Sequence, residues 1–370
     1  MKEAIAHNLT RYRRGLQISE DSLAQRVGLS VETIVSYEQG LVLPHSKHLS
    51  LLAKHLGVTL DDLLNPVDET SSKLGNFCFR AHSSFTNNPA FATKIYNLLA
   101  TYTALETAIS LPPYAPETTP CDRVEDNENR IQQVAQSFRA RLGIGDTPIA
   151  NLFESVEELG LKILRLPIEE KGFFGLSAFS LTQGAFVLVN THQITIERQL
   201  FTLAHEIGHL IFHRDEYQDP SPIAENTEAQ KARERVADYF ASHLLISPLA
   251  FEQACRNMDY NLLKLKAYFR VSYATILKRF DELGIKDYGS MIKELNWRYK
   301  QEKGHTLTKD MELEPQLQDR DFPLNQRYQM LIGKALKQEK ISELKAAELL
   351  GQTIESLRVD RRNLEVYSLV

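Results

Sequence analysis

The chain has 370 residues, 43% of them apolar and 25% charged, so its length predicts two or three domains rather than one core. A formal net charge of −5 excludes attraction of the whole protein to polyanions, and any nucleic-acid contact must come from a local patch. Cys78, Cys121 and Cys255 are odd in number and lack C-x-x-C spacing, which argues against a disulfide framework and a cysteine metal site. Met1 to Gly15 has no signal-peptide core, and no run approaches the roughly 18 apolar residues of a membrane helix. The expectation is a cytoplasmic protein with no membrane partner.

Residues 1–66 read as a separate unit. Ile5 to Leu64 divides into five short helices: Leu9, Tyr12 and Leu16 pattern the first, Ser19 caps a second over Glu20 to Val27, and Ser30 caps a third over Val31 to Gln39, stopped by Gly40. Gly28 and Leu29 turn the chain between the second and third, which is the helix-turn-helix arrangement. Leu23, Ala24, Val27, Leu29, Ile34 and Tyr37 form its expected core, and Pro66 ends the unit. The marks Ser19-x-x-x-Leu23-Ala24, Gly28-Leu29-Ser30, Ile34-x-x-Tyr37-Glu38-x-Gly40, Pro44 and Leu56-Gly57-Val58 make this segment similar to the lambda-repressor-like, or XRE, DNA-binding family. That resemblance implies that Val31, Glu32, Thr33 and Ser36 read base edges of a double-stranded operator in the major groove. Arg11, Arg13, Arg14, Arg26 and Lys47 form the expected basic rim, with Arg11 and Arg14 toward phosphate. Residues 1–65 hold seven Lys or Arg against seven Asp or Glu, which implies modest phosphate affinity.

Residues 67–129 read as a linker with one helix, from Ala90 to Ile109, followed by a Pro-, Thr- and acid-rich flexible boundary at 111–128. A domain over 130–285 then opens with a helix patterned by Ile131, Val134, Ala135, Phe138 and Leu142 and a second from Ile149 to Leu159. Leu161 to Leu166, Gly175 to Ser180 and Ala185 to Asn190 read as short strands. A sheet edge beside a binding cleft can accept an extended peptide as an extra strand.

The most informative stretch follows. Leu200, Leu203, Ala204, Ile207, Leu210 and Ile211 form one apolar helical stripe, and His205, Glu206 and His209 form the pattern H-E-x-x-H on another flank. Positions four apart project from one helical face, so His205 and His209 can share one zinc ion. Glu206 then lies beside the metal, where a carboxylate can move a proton between water and a leaving amine. Phe212 and Asp215 stand where a metzincin needs Gly and His, which closes that route to a third ligand. A second amphipathic helix, Glu234 to Leu245, puts Glu234 and Asp238 on one face. Glu234 is the candidate third ligand, and Asp238 can accept the remaining ring N–H of a ligand histidine. His213, Glu225 and Glu228 are the rivals to Glu234. Gly208, Ala237 and Ala241 let the two helices approach closely.

Arg198, Phe201 to Leu210, and Glu234-x-x-Ala237-Asp238-x-Phe240-Ala241-x-x-Leu244-Leu245 resemble the ImmA/IrrE family of bacterial zinc metallopeptidases. The resemblance implies a zincin-like α+β fold, zinc held by His205, His209 and Glu234, Glu206 as catalytic base, and a repressor-type protein as substrate. That family more often has Asn where this chain has Asp238.

Beyond Pro248 the pattern is helical. Ser272 caps a helix reaching Leu283-Gly284, which resembles the small helix-turn-helix-like unit that follows the peptidase core in the same family. Residues 286–325 read as a charged connection without pattern, and 326–370 as a helical tail. Sliding the chain by 323 positions sets Ile18-Ser19-Glu20 on Ile341-Ser342-Glu343 and Val27-Gly28 on Leu350-Gly351 without a gap. Common function explains this repeat, and so does the shared geometry of any two-helix turn.

The fold class expected is mainly α with a small α+β part: an all-α helix-turn-helix head, a zincin-like α+β domain with a short sheet, and a helical C-terminal tail. The function expected is transcriptional regulation by a DNA-binding protein that uses zinc to cut a repressor-type protein or itself. Its partners would be the operator, that substrate and a second copy of the chain. Two alternatives stay open: a helix-turn-helix factor whose peptidase-like domain senses a metal or signal without cutting, and an antitoxin-like interaction module.

Overall fold

Side-chain caps set the start of the second and third helices in the N-terminal unit, where Ser19 accepts from the Ser22 amide and Ser30 from the Thr33 amide. The computed structural model describes residues 2–15, 18–56, 58, 60–64, 78–79, 89–170, 172–217, 227–308 and 311–359; Leu16, Gly57, Pro66 and Glu225 lie outside them. The unit comprises α1 (Lys2–Gly15), α2 (Glu20–Val27), α3 (Val31–Glu38), α4 (Ser46–Leu56) and α5 (Leu60–Leu64). Leu9, Leu23, Ala24, Val27, Ile34 and Tyr37 are buried together, as their spacing required. Gly28, at φ 69° and ψ 35°, makes the left-handed turn between α2 and α3. Arg13 departs from its expected place on a basic rim. Its guanidinium is buried, donating to Glu38 Oε1 at 2.6 Å, Glu20 Oε1 at 2.5 Å and the Ile18 carbonyl at 2.8 Å, because a planar fork matches two carboxylates.

The rest of the chain is built on one small sheet. Strands β1 (Cys78–Phe79), β2 (Lys162–Leu166), β3 (Gly175–Ser180) and β4 (Gly184–Asn190) lie in the order β1-β3-β4-β2, with β2 and β4 parallel and the other pairs antiparallel. Alternation gives the sheet two apolar faces. Ile163, Phe179, Val187 and Val189 enter one core with α7 (Glu128–Arg141), α8 (Leu152–Glu158), α9 (Ile196–Phe212) and α10 (Glu228–Leu245). Leu164, Leu176, Phe186 and Leu188 enter a second core that runs through α6 (Pro89–Ala108) to the helix-turn-helix unit. The sheet edge that could take an extended peptide is, at Ala178 and Phe179, taken by the chain's own β1.

Residues 111–128 are not the flexible boundary their composition suggests. The Thr119 amide donates to the Ile211 carbonyl at 2.9 Å, the Ala185 amide to the Tyr114 carbonyl at 2.7 Å, and Cys121 is buried in the first core. A strap whose backbone groups pair with the end of α9 and the start of β4 is held whatever its proline content. Past α10 come α11 (Pro248–Asn257), α12 (Leu262–Phe269), α13 (Tyr273–Glu282) and α14 (Tyr288–Lys303). The last of these corrects the expectation of an unpatterned connection at 286–325. It buries Met291 and lays Tyr288, Ile292, Leu295 and Tyr299 against the first core at helical spacing, and Leu307, Leu313 and Phe322 return to that core.

In the tail, α15 (Gln326–Lys337) and α16 (Glu343–Leu350) repeat the local geometry of α1 and α2. Ser342 accepts from the Lys345 amide, and Gly351 turns the chain at φ 66° and ψ 31°, within a few degrees of Gly28. A buried ion cluster ties the tail to the sheet: Glu106 on α6 meets Lys162 of β2 at 3.0 Å and Arg327 of α15 at 2.6 Å. Removing one partner would leave an uncompensated buried charge. The architecture is mainly α with a small α+β part.

Helices α9 and α10, which carry the candidate metal residues, pack closely at Gly208. A Cβ at Gly208 would lie 3.1 Å from the Ala237 Cα and 3.2 Å from Phe240 Cδ1, closer than ordinary packing. Gly208→Val should therefore push the helices apart, destabilising the fold by about 1–3 kcal/mol in chemical denaturation and weakening divalent-metal binding in a chelator competition. Unchanged stability and metal affinity would contradict this reading.

Candidate metal centre

Threonine caps fix both helices that carry the centre: Thr195 accepts from the Arg198 amide at the start of α9, and Thr227 from the Gln230 amide at the start of α10. One turn of α9 separates His205 from His209, and α10 brings Glu234 across from them. His205 Nε2 and His209 Nε2 lie 3.0 Å apart, and Glu234 Oε2 is 3.2 Å from the first and 3.8 Å from the second. Ligand atoms bonded at about 2 Å to a tetrahedral ion sit about 3.3 Å from one another, so these three atoms fit one ion of that kind. Among the described residues this is the group of His, Cys, Asp and Glu that could hold a metal. Gln230 Nε2 donates to the other oxygen of Glu234 at 3.0 Å, which fixes the carboxylate with Oε2 toward the histidines.

Hydrogen bonds on the far sides of both rings set their tautomers. His205 Nδ1–H donates to Asp238 Oδ1 at 2.9 Å, leaving Nε2 for a metal. Burial works against a charged His205, but hydrogen bonds to Asp238 and Glu234 outweigh it and hold the pKa up at about 9. Burial would likewise raise the Asp238 carboxyl, and its bond to His205 more than offsets this, leaving it below its ordinary value. Lys278 Nζ stands 3.5 Å from Asp238 Oδ2.

His209 is served by His213. His213 Nε2–H donates to the Cys121 carbonyl of the strap at 2.9 Å, so its Nδ1 carries a lone pair. That atom accepts from His209 Nδ1–H at 2.8 Å, again leaving Nε2 for a metal. His213 is therefore spoken for on both nitrogens and stands behind a candidate ligand instead of competing with Glu234. Glu228, another rival, is exposed in the first turn of α10 and paired with Lys231 at 2.9 Å. Glu225 lies outside the described residues.

Glu206 is buried and accepts a short hydrogen bond from Ser177 Oγ on β3. Ser177 Oγ is also 2.7 Å from Tyr217 Oη, in the 3-10 turn Arg214–Tyr217. Neither residue was a candidate from sequence, although a serine at an inward position of a buried strand is a signal worth following. In the helix-turn-helix unit, Glu32 and Arg14 are exposed, while Thr33 and Ser36 are half-buried. Ser36 Oγ is turned onto the Glu32 carbonyl at 2.7 Å, and the Arg11 guanidinium lies over the Tyr12 ring at 4.4 Å. Val31 is half-buried against the unit's own core, which leaves less of it for a base contact.

Residues 156–281 match the family model of the IrrE N-terminal-like domain, a peptidase family, and residues 9–63 match a helix-turn-helix family. The chain joins a DNA-binding type of helix-turn-helix domain to an IrrE-like domain. No curated protein matches it. Among solved structures, the apo form of ComR from S. thermophilus is similar: 14% identical, covering 100% of this chain and 99% of its own, at a TM-score of 0.17, too low to carry an argument about arrangement. No helix among the described residues is long and apolar enough to cross a membrane. The candidate metal set spans α9 and α10, and Asp238 is the test of how it is oriented. Asp238→Ala should weaken divalent-metal binding by about 10- to 100-fold in a chelator competition, and Asp238→Asn should restore most of it because the amide oxygen still accepts from His205. Equal losses in both variants would contradict an orienting role.

Proposed function

We propose that the IrrE-like domain is a zinc-dependent peptidase, and that the chain is a transcriptional regulator that cuts a repressor-type protein. The observation that carries this reading is the pairing of two differently held groups on one helix. His205 and His209 present Nε2 atoms toward Glu234, while Glu206, one residue from a ligand, is kept apart by its bond to Ser177. When bound, zinc polarises a carbonyl and lowers the pKa of water toward 7. Glu206 takes the proton of the attacking water on its carboxylate and returns it to the leaving amine. Ser177 holds that carboxylate in place, and Tyr217 holds Ser177. Asp238 and His213 keep both imidazoles in the tautomer a metal requires.

The substrate in this reading is another polypeptide. Self-cleavage at 111–128 would need an exposed strand, and that strap is hydrogen-bonded to Ile211 and Phe212. The occupied edge of β3 favours a second reading, a metal-sensing domain that does not cut, since β1 stands where an extended substrate could pair. The helix-turn-helix domain presents Glu32, Thr33 and Ser36 of α3 to the operator's base edges, with Val31 beside them and Arg11 and Arg14 toward phosphate. The domain limits proposed are 1–66, 67–129, 130–285, 286–325 and 326–370.

Glu206→Gln keeps size and hydrogen bonding but removes the base. Zinc content and folding should be unchanged, and cleavage of a partner repressor should fall at least about a hundredfold. If the variant regulates transcription as well as the parent while His205→Ala does not, the metal-sensing reading replaces the peptidase.

A further inference from the structure

A cavity of about 460 Å³ lies beside the metal centre, between the start of α9 and the start of α13. Phe174, Arg198, Phe201, Tyr273, Lys278 and Tyr288 are among its walls. Two of these reach the centre itself. The Phe201 ring is 6.5 Å from the ring of His205, and Lys278 Nζ is 3.5 Å from Asp238 Oδ2 and 5.5 Å from the centre of the Phe201 ring. The cavity is thus within side-chain reach of a polypeptide whose scissile bond stands at the histidines.

Among the described lining residues, Arg198 and Lys278 bring two cations, Lys278 standing 3.5 Å from Asp238 Oδ2, and Glu312 brings one carboxylate. Arg198 lies over the Phe174 ring at 4.3 Å, and Lys278 is half-exposed beside Phe201. The carboxylate among the lining residues, Glu312, is already committed: it accepts from the amides of Tyr273 at 3.1 Å and Leu313 at 2.9 Å and stands 3.7 Å from Lys266 Nζ. Burial also pushes its pKa up to about 7, which reduces its charge. An entering group therefore meets a guanidinium, an ammonium and aromatic faces.

We propose that this cavity is a specificity subsite for an acidic residue next to the scissile bond, with an apolar neighbour packed on the aromatic walls. The assignment rests on the peptidase reading. Arg198 binds the carboxylate with its planar fork, and Lys278 adds a point charge nearer the metal. The volume falls within the roughly 300–1,000 Å³ of ligand-sized sites, larger than one carboxylate side chain needs, which is why two adjacent residues are assigned to it.

Binding and cutting are tested separately on the full chain. Zinc-loaded protein carrying Glu206→Gln is titrated with fluorescent random-peptide pools that fix Asp-Phe, Asn-Phe or Lys-Phe at the centre. The Asp-Phe pool should bind about tenfold tighter than the Asn-Phe pool. Arg198→Glu should abolish that preference and favour the Lys-Phe pool, and Lys278→Gln should reduce it severalfold. Equal binding of the Asp-Phe and Asn-Phe pools, or a preference that survives Arg198→Glu, overturns the subsite. Competition by free succinate as effective as the Asp-Phe pool also overturns it, in favour of a small-acid site. In parallel, the parent protein is given the same pools unlabelled, and products should be enriched in Asp or Glu beside the cut. A preference that tracks Arg198 without any cleavage removes the peptidase reading while sustaining an acidic-peptide site.

Discussion

The close approach of α9 and α10 at Gly208 sets the distance between the histidines and Glu234. The side chains between two helices set the spacing of their axes, and here a Cβ on Gly208 would already lie 3.1 Å from the Ala237 Cα. Glu234 reaches His205 only because of this contact. The Glu234 carboxylate stands one turn before Ala237 on α10, and Asp238 follows immediately, so both acids meet α9 along the same seam. A wider spacing would move both carboxylates together away from the two imidazoles.

Three elements outside the two helices then complete the arrangement. Strand β3 supplies Ser177 to Glu206, the strap supplies the Cys121 carbonyl to His213 and so to His209, and α13 supplies Lys278 to Asp238. Each is a buried or half-buried polar contact, and a polar group taken from water costs free energy unless it is paired. The centre is in this sense a continuous set of paired groups running from the sheet to the surface. Its outer end opens beside the aromatic and cationic walls around Phe201.

Much of this was legible in the sequence because local physics specified it. Ser19, Ser30, Thr195 and Thr227 sit at helix starts as N-caps should, and the 3.6-residue period marked the buried faces of α2, α3, α9 and α10. Helical spacing likewise puts His205 with His209, and Glu234 with Asp238, on one face of each helix, while the meeting of the two faces is a tertiary contact. What depends on contacts between distant segments was not legible. Arg13 reads as a surface cation until Glu20 and Glu38 fold over it, and the strap at 111–128 reads as a linker until its amides meet Ile211 and Phe212. Ser177, Tyr217 and His213 acquire their roles only through residues 29, 40 and 92 positions away, a pairing no local pattern carries. Helix α14 carries a stripe of Tyr288, Met291, Ile292, Leu295 and Tyr299, but only Met291 is fully buried and the other faces are densely charged, which masked the pattern.

The proposed chemistry requires above all that His205, His209 and Glu234 together hold a single divalent ion and leave a position open. X-ray absorption at the zinc K-edge of the purified, zinc-loaded protein measures this directly. The account predicts four or five nitrogen and oxygen neighbours at about 2.0–2.2 Å, two of them imidazoles, with one imidazole lost in His209→Ala and an oxygen lost in Glu234→Ala. A spectrum requiring three imidazoles, or any sulfur neighbour, would contradict it.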